Sequence, residues 1–165
     1  STAQMPYFPE EVRDLPTFGQ FYGSKANLNM ESLIDARPQI IIDLGDKKDS
    51  IADDMDRIQK QTGIPTVFIE ANLDDMAAAY RTLGDILNRS DMAEPLAQFI
   101  EKSVTMAQEN SAKIPESQRL SVLFGTGSTG LACNAAGSVQ ADVIDLVGAA
   151  APPSVWRRYT PWSRT

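Results

Sequence analysis

The residues best placed to do chemistry are the glycines at 125, 127 and 130, in the run Gly-Thr-Gly-Ser-Thr-Gly that follows the apolar stretch LSVLF. A strand ending in Gly-x-Gly-x-x-Gly lets the backbone approach a pyrophosphate, which the N-terminus of a following helix then holds. Asp145 lies at about the offset of a ribose-binding acid. No helical pattern opens at Gly130, however. Asp145 falls inside a helical pattern, not at a strand end. Only 35 residues follow Gly130, too few to complete a dinucleotide fold. The loop therefore reads first as the lining of a cleft or a plain turn, with nucleotide binding kept as the alternative.

Other candidates are weighed the same way. Asp43, Asp46, Asp53, Asp54 and Asp56 crowd one segment, but they lack the alternation, central glycine and closing glutamate of a calcium loop. They read as a solvated helix start. Lys47 and Lys48, beside a strand end, suit an anionic ligand or simply water. Phe18, Phe21 and Tyr22, grouped around Gly19 and Gly23, can stack on a flat ligand or pack into the core. The chain has no histidine. That removes histidine metal sites, Ser-His-Asp and Cys-His nucleophiles, and the usual general base near neutral pH. The single cysteine, Cys133, allows no intrachain disulfide and reads as a buried, inert thiol.

With 22 acidic against 15 basic residues the net charge is −7. A nucleic-acid footprint needs a basic face, so nucleic acid is not an expected partner. No apolar run approaches the roughly 18 residues that span a bilayer. The 165 residues amount to about one domain, or two small lobes, and 42% hydrophobic residues suffice for a core.

The elements that must position these residues follow from period and punctuation. Residues 1–27 are rich in proline, glycine and aromatics without period, and read as irregular surface chain. Asn29 caps a short helix that Pro38 ends. QIIIDL at 39–44 is a buried parallel strand. Residues 49–61 form a helix with Ile51, Met55, Ile58 and Thr62 inward, stopped by Gly63. PTVFIE at 65–70 is a second strand, completing a strand-helix-strand unit. Residues 72–113 are a long helical run, capped by Asn72, with Met76, Ala79, Tyr80, Leu83, Ile86 and Leu87 on one face and Leu96, Phe99, Ile100, Val104 and Ala107 on another. Asn88-Arg89-Ser90 and Pro95 predict a break or kink within it. A third strand is predicted at 120–125. Ser138 caps a final helix with Val139, Val143, Ile144 and Val147 on one side, ended by Gly148. The tail from 151, with both tryptophans and three arginines in residues 156–164, has no period.

In this order the pieces resemble the substrate-binding proteins of ABC importers for iron-siderophores, haem and cobalamin, whose two lobes are joined by one long helix. The carrying stretches are LPTFGQFYGSKANLNMESLIDARPQIIID, TGIPTVFIE, AAAYRTLGDILNRSDMAEPLAQFIE and LSVLFGTGSTGLACNAAGSVQADVIDLVGA. The resemblance runs from Leu15 to Ala149. It implies an α/β chain of parallel strands flanked by helices: a partial first lobe at 1–71, an inter-lobe helix at 72–113, a partial second lobe at 114–150 and an atypical tail at 151–165. Segments expected before Ser1 and after Gly148 are not in the sequence, so the chain is similar to an internal piece of such a protein.

The resemblance further implies a non-enzymatic solute-binding component, periplasmic or anchored outside the membrane, with no cofactor of its own. The ligand is an iron-chelate or similar small molecule, and the partner is an ABC transporter permease. The family's cleft positions match Phe21, Tyr22, Gly45, Asp46, Lys47, Thr126, Gly127, Ser128 and Thr129, and the first permease-docking glutamate matches Glu31. A third possibility is a non-binding remnant that self-associates as a homo-oligomer, because a half-lobe exposes sheet edges and core.

Overall fold

The computed structural model describes residues 8–20, 27–126, 132–133 and 138–150, the last strand residues by their backbone alone. The chain is α/β, with a parallel strand pair flanked by helices. It divides into two compact units, residues 1–43 with 47–68 and residues 44–46 with 69–165.

Helix α1 (Glu10–Arg13) starts the first unit. Irregular chain is expected over residues 1–27, and this helical turn corrects that expectation. Pro9 pre-sets the backbone before the first turn, Glu10 and Glu11 sit at the positive end of the helix dipole and Arg13 at the negative end. Helix α2 (Met30–Ala36) begins as expected: Asn29 Oδ1 accepts from Ser32 N–H at 3.0 Å. Its end is set by Arg37, which takes a left-handed conformation (φ 50°), before Pro38 is reached. Strand β1 (Ile41–Gly45), helix α3 (Ile51–Thr62) and strand β2 (Thr66–Glu70) follow.

The two strands are paired. Ile41 N–H donates to Pro65 O at 2.8 Å and Ala71 N–H donates to Gly45 O at 3.0 Å, so partners advance together and the pair is parallel. Gly63, at φ 71°, ends α3 with its N–H on Gln59 O. Ile51, Met55 and Ile58 are buried on the inner face of α3, packed with Leu33, Ile41 and Ile64 into one core that Phe18, Leu28, Met30 and Phe68 flank. Thr62 is only half-buried; its hydroxyl donates to Ile58 O and accepts from Ile64 N–H, tightening the turn into β2.

In the second unit the long helical run is two helices, α4 (Met76–Ile86) and α5 (Ser90–Ser111). The break lies at residues 87–89, where Asn88 takes φ 52°. Asn tolerates this left-handed conformation better than most residues. The expected Asn88-Arg89-Ser90 step thus holds the break, while Pro95, the other expected breaker, sits inside α5, where it removes a single backbone donor.

The second helix folds back along the first. Gly84 of α4 lies against Ala93 of α5, so closely that a Cβ at 84 would collide with the Ala93 methyl. Further from the turn, Arg81 grips Glu94 (Nε–Oε2 2.8 Å) and Glu101 (Nη1–Oε1 2.6 Å). The pair is thus a helical hairpin. Ala77, Ala79, Ala93 and Ala97 are buried, whereas Ile86, Leu87, Leu96 and Phe99 of the expected apolar faces are exposed.

A 3₁₀ turn at Glu116–Gln118 leads to the segment expected as a third strand. There the chain makes one isolated parallel bridge, Ser121 with Ala150, held by Val122 N–H to Ala150 O and Ala150 N–H to Leu120 O. Among the described residues, β3 (Gly125–Thr126) and β4 (Ala132–Cys133) pair further on, antiparallel. Helix α6 (Val139–Leu146) is capped by Ser138, which accepts from Ala141 N–H at 3.4 Å. Ala141 is its buried position; Val143 and Val147, expected inward, are exposed.

Candidate functional site

Three short-range arrangements prepare the ends of the parallel strands. Ala71 N–H, just past β2, is bonded to Gly45 O at the end of β1, which fixes the two strand ends side by side. Asn72 then organises the connection into α4. Its Oδ1 accepts from the backbone N–H of Asp74 and Asp75, both at 3.0 Å, and its Nδ2 donates to Asp75 Oδ2 at 2.7 Å. Asn72 therefore caps this turn, and α4 opens only at Met76. Finally the hairpin contact between Gly84 and Ala93 holds α4 in place.

The result, inside the second unit, is an apolar cavity of about 360 Å³ lined by Leu44, Gly45, Ala71, Met76, Ala79, Tyr80 and Leu83. It lies outside the carboxyl ends of β1 and β2, the position at which α/β sheets take ligands. Its size is at the low end of the range of about 300–1,000 Å³ for small-molecule sites. Gly45 leaves its own Cβ position open, with no atom within 4 Å, so a ligand can approach the backbone there. Tyr80 is half-buried, an aromatic body carrying a polar tip.

The electrostatics beside the Gly45 turn are negative. The Asp142 carboxyl is pushed above its ordinary range, first by desolvation and then by the charges of Asp74, Asp145 and Asp46. Such a field disfavours a phosphate. Among the described residues no cluster of three or more metal-ligating side chains occurs.

The expected site residues distribute as follows. Gly45 lines the cavity, and Asp46 is exposed beside it. Lys47 is exposed and belongs to the first unit. Thr126 lies on β3 opposite Ala132. Glu31 is exposed in the first turn of α2. Phe21, Tyr22, Gly127, Ser128 and Thr129 lie outside the described residues, but the neck of the aromatic loop is described. Asn27 N–H donates to Gln20 O at 3.1 Å, Gln20 N–H to Asn27 Oδ1 at 3.0 Å, and Asn29 N–H to Phe18 O at 2.7 Å. Gly19, at φ 102°, permits this closure, since a Cβ there would strike the Asn27 carbonyl.

The nucleotide alternative loses its geometry. The first residues of the glycine run, Gly125–Thr126, pair back with Ala132–Cys133, a β-strand where the fingerprint requires a helix, and Asp145 is exposed within α6. Sequence reasoning missed Met76, Tyr80 and Leu83 as cavity residues. Their three- and four-residue spacing was visible, but only as a helix face.

The sequence pattern of the periplasmic binding protein family matches residues 4–154. The chain belongs to the periplasmic binding protein family. A search of curated protein sequences finds no match. Among solved structures, the chain is similar to an ABC transporter solute-binding protein from Sulfurospirillum deleyianum, with TM-score 0.72, 24% identity, 86% of this chain covered and 43% of that one. It is also similar to Staphylococcus aureus IsdE complexed with heme, at 0.62 and 21%, covering 87% and 52%. The periplasmic heme-binding protein BhuT, in complex with two hemes, matches at 0.63 and 18%, covering 88% and 54%. The chain thus spans about half the length of these structures. The family and these neighbours are solute-binding proteins, not enzymes.

Proposed function

We propose that this chain is part of the solute-binding component of an ABC importer, working outside the cytoplasmic membrane with a permease and taking an iron-chelate of the haem or siderophore type. The observation that carries the reading is the cavity at the carboxyl ends of β1 and β2. It is apolar, bare of side chain at Gly45 and bordered by Tyr80, and so suits the apolar face of a large flat or macrocyclic ligand. Two of the structural neighbours are described with heme bound, which supports that ligand class over a simple ion. The negative field of Asp46, Asp74, Asp142 and Asp145 orients such a ligand with its anionic groups away from this end. Glu31, exposed on α2, supports a docking role toward a permease arginine.

Titrating the chain with hemin, followed by the Soret band, and with a ferric hydroxamate, followed by calorimetry, tests the proposal. Saturable binding in the micromolar range or tighter is expected, weakened about tenfold or more by Gly45→Leu, which fills the cavity mouth. No saturable response to either chelate, or binding indifferent to Gly45→Leu, would overturn it.

A further inference from the structure

The cavity at the ends of β1 and β2 is apolar inside, and acids border it. Asp46 is exposed and directly follows Gly45, a lining residue. Asp74 lies between Ala71 and Met76, both lining residues, and its backbone N–H is held by Asn72 Oδ1 at 3.0 Å. Asp142 is half-buried in the first turn of α6. It lies close enough to Asp74, Asp145 and Asp46 for their charges, after desolvation, to raise its carboxyl. Asp142 thus ties α6 to both sides of the cavity border.

The bases on the same elements do not offset these acids. Arg81, next to Tyr80 and the one base of α4, is held by both Glu94 and Glu101. Helix α6 carries no basic residue. Lys47 and Lys48, which follow Asp46 in the chain, belong to the first unit. The field at the cavity mouth is therefore negative, and a ligand that brings a positive group relieves it. Tyr80, in the lining, adds a ring of the kind that attracts cations.

We propose that this cavity selects its ligand by charge: among chelates of one core it takes a cation-bearing one most tightly, a neutral one less and an anionic one least, with Asp46, Asp74 and Asp142 as the specificity-determining residues. The inference rests on the solute-binding reading above and narrows its ligand class. The apolar lining receives the body of the ligand, and the acids add a longer-range preference that salt screens.

Three ferric trihydroxamates of one core test the proposal: ferrioxamine B, with a free ammonium group, its N-acetyl derivative, which is neutral, and its N-succinyl derivative, which is anionic. Calorimetry on the full 165-residue chain is expected to rank them in that order, by about threefold or more per unit of ligand charge at low ionic strength and by less at high salt. Asp46→Asn, Asp74→Asn and Asp142→Asn should each narrow the ranking with the far-UV circular dichroism unchanged. Asp91→Asn, at the turn end of the hairpin, should leave it unaltered. Equal affinity for the three, or a ranking that none of the three aspartate variants narrows, overturns this inference and leaves the solute-binding reading standing. Failure of all three to bind while hemin binds also overturns it. Failure of all three and of hemin overturns that reading as well.

Discussion

Replacing Gly84 by alanine sets two effects of opposite sign against each other. Gly84 lies within α4, where glycine is less favourable than alanine by about 0.5–1 kcal/mol, so helix propensity alone makes Gly84→Ala stabilising. The added Cβ, however, would overlap the Ala93 methyl and stand 3.3 Å from both the Arg89 carbonyl oxygen and Ser90 Cα. Two of these three neighbours are backbone and the third is a methyl with no rotamer to change, so the hairpin must open. Overpacking of this kind costs about 1–3 kcal/mol. The net expectation is a loss of about 0.5–2 kcal/mol. Ala93→Gly alone costs about 1 kcal/mol of propensity, yet in combination it removes the overlap. The double variant should therefore lie within about 1 kcal/mol of the parent, a coupling of about 1–2 kcal/mol. Urea unfolding followed at 222 nm measures all four proteins. A Gly84→Ala protein more stable than the parent, or strictly additive effects, would refute the close approach of α4 and α5 and with it the positioning of the cavity.

Ile58, 1% exposed at the centre of the first unit, should cost about 2–5 kcal/mol when replaced by alanine, read as a lowered urea midpoint. Asp142→Asn should stabilise the protein at neutral pH. A carboxyl whose folded pKa is raised imposes no cost below the ordinary aspartate value of about 3.9, and its cost grows as pH rises through the raised value; the gain should therefore vanish near pH 3 in thermal melts. Glu94 is depressed to about 2, first by its hydrogen bonds from Arg81 and then by that from Gln98, and Glu101 is lowered by Arg81 as well. Their contribution is present above the ordinary glutamate value and is lost as pH falls toward about 2, so Arg81→Met should reduce the acid sensitivity of the helical signal between pH 5 and 2, modestly because the pairs are solvent-screened.

The first unit was legible because its signals are local. Asn29 as a cap, Gly63 as a stop and the Ile51-Met55-Ile58 period each act within a few residues, and each proved to be where the period put it. The break at Asn88-Arg89-Ser90 was legible for the same reason, but that α5 folds back along α4 was not: Pro95, the other expected breaker, costs one hydrogen bond, whereas Asn88 turns the chain through a single positive φ. Which face of α5 turns inward was legible in part: Ile100, Val104 and Ala107 of the expected face are half-buried, but Leu96 and Phe99 are exposed. Hydrophobicity favours Leu96 and Phe99, but Gly84 and the alanines permit a closer approach, and the small stripe won. The cavity followed the same logic: Gly45, an expected site residue, lines it, while Tyr80 and Met76 joined the lining only through the fold.

The hydrogen-bonded neck between Phe18 and Asn29 separates what the aromatic loop carries from what holds the first unit together. Its ends are fixed by the hydrogen bonds of Gln20 and Asn27 and by the permissive backbone of Gly19. Lengthening such a loop twofold costs only about 0.6 kcal/mol of closure entropy. The neck therefore lets the number of residues between Gln20 and Asn27 change at little expense to the closure itself, so length at this point of the first unit is uncoupled from the register of α2.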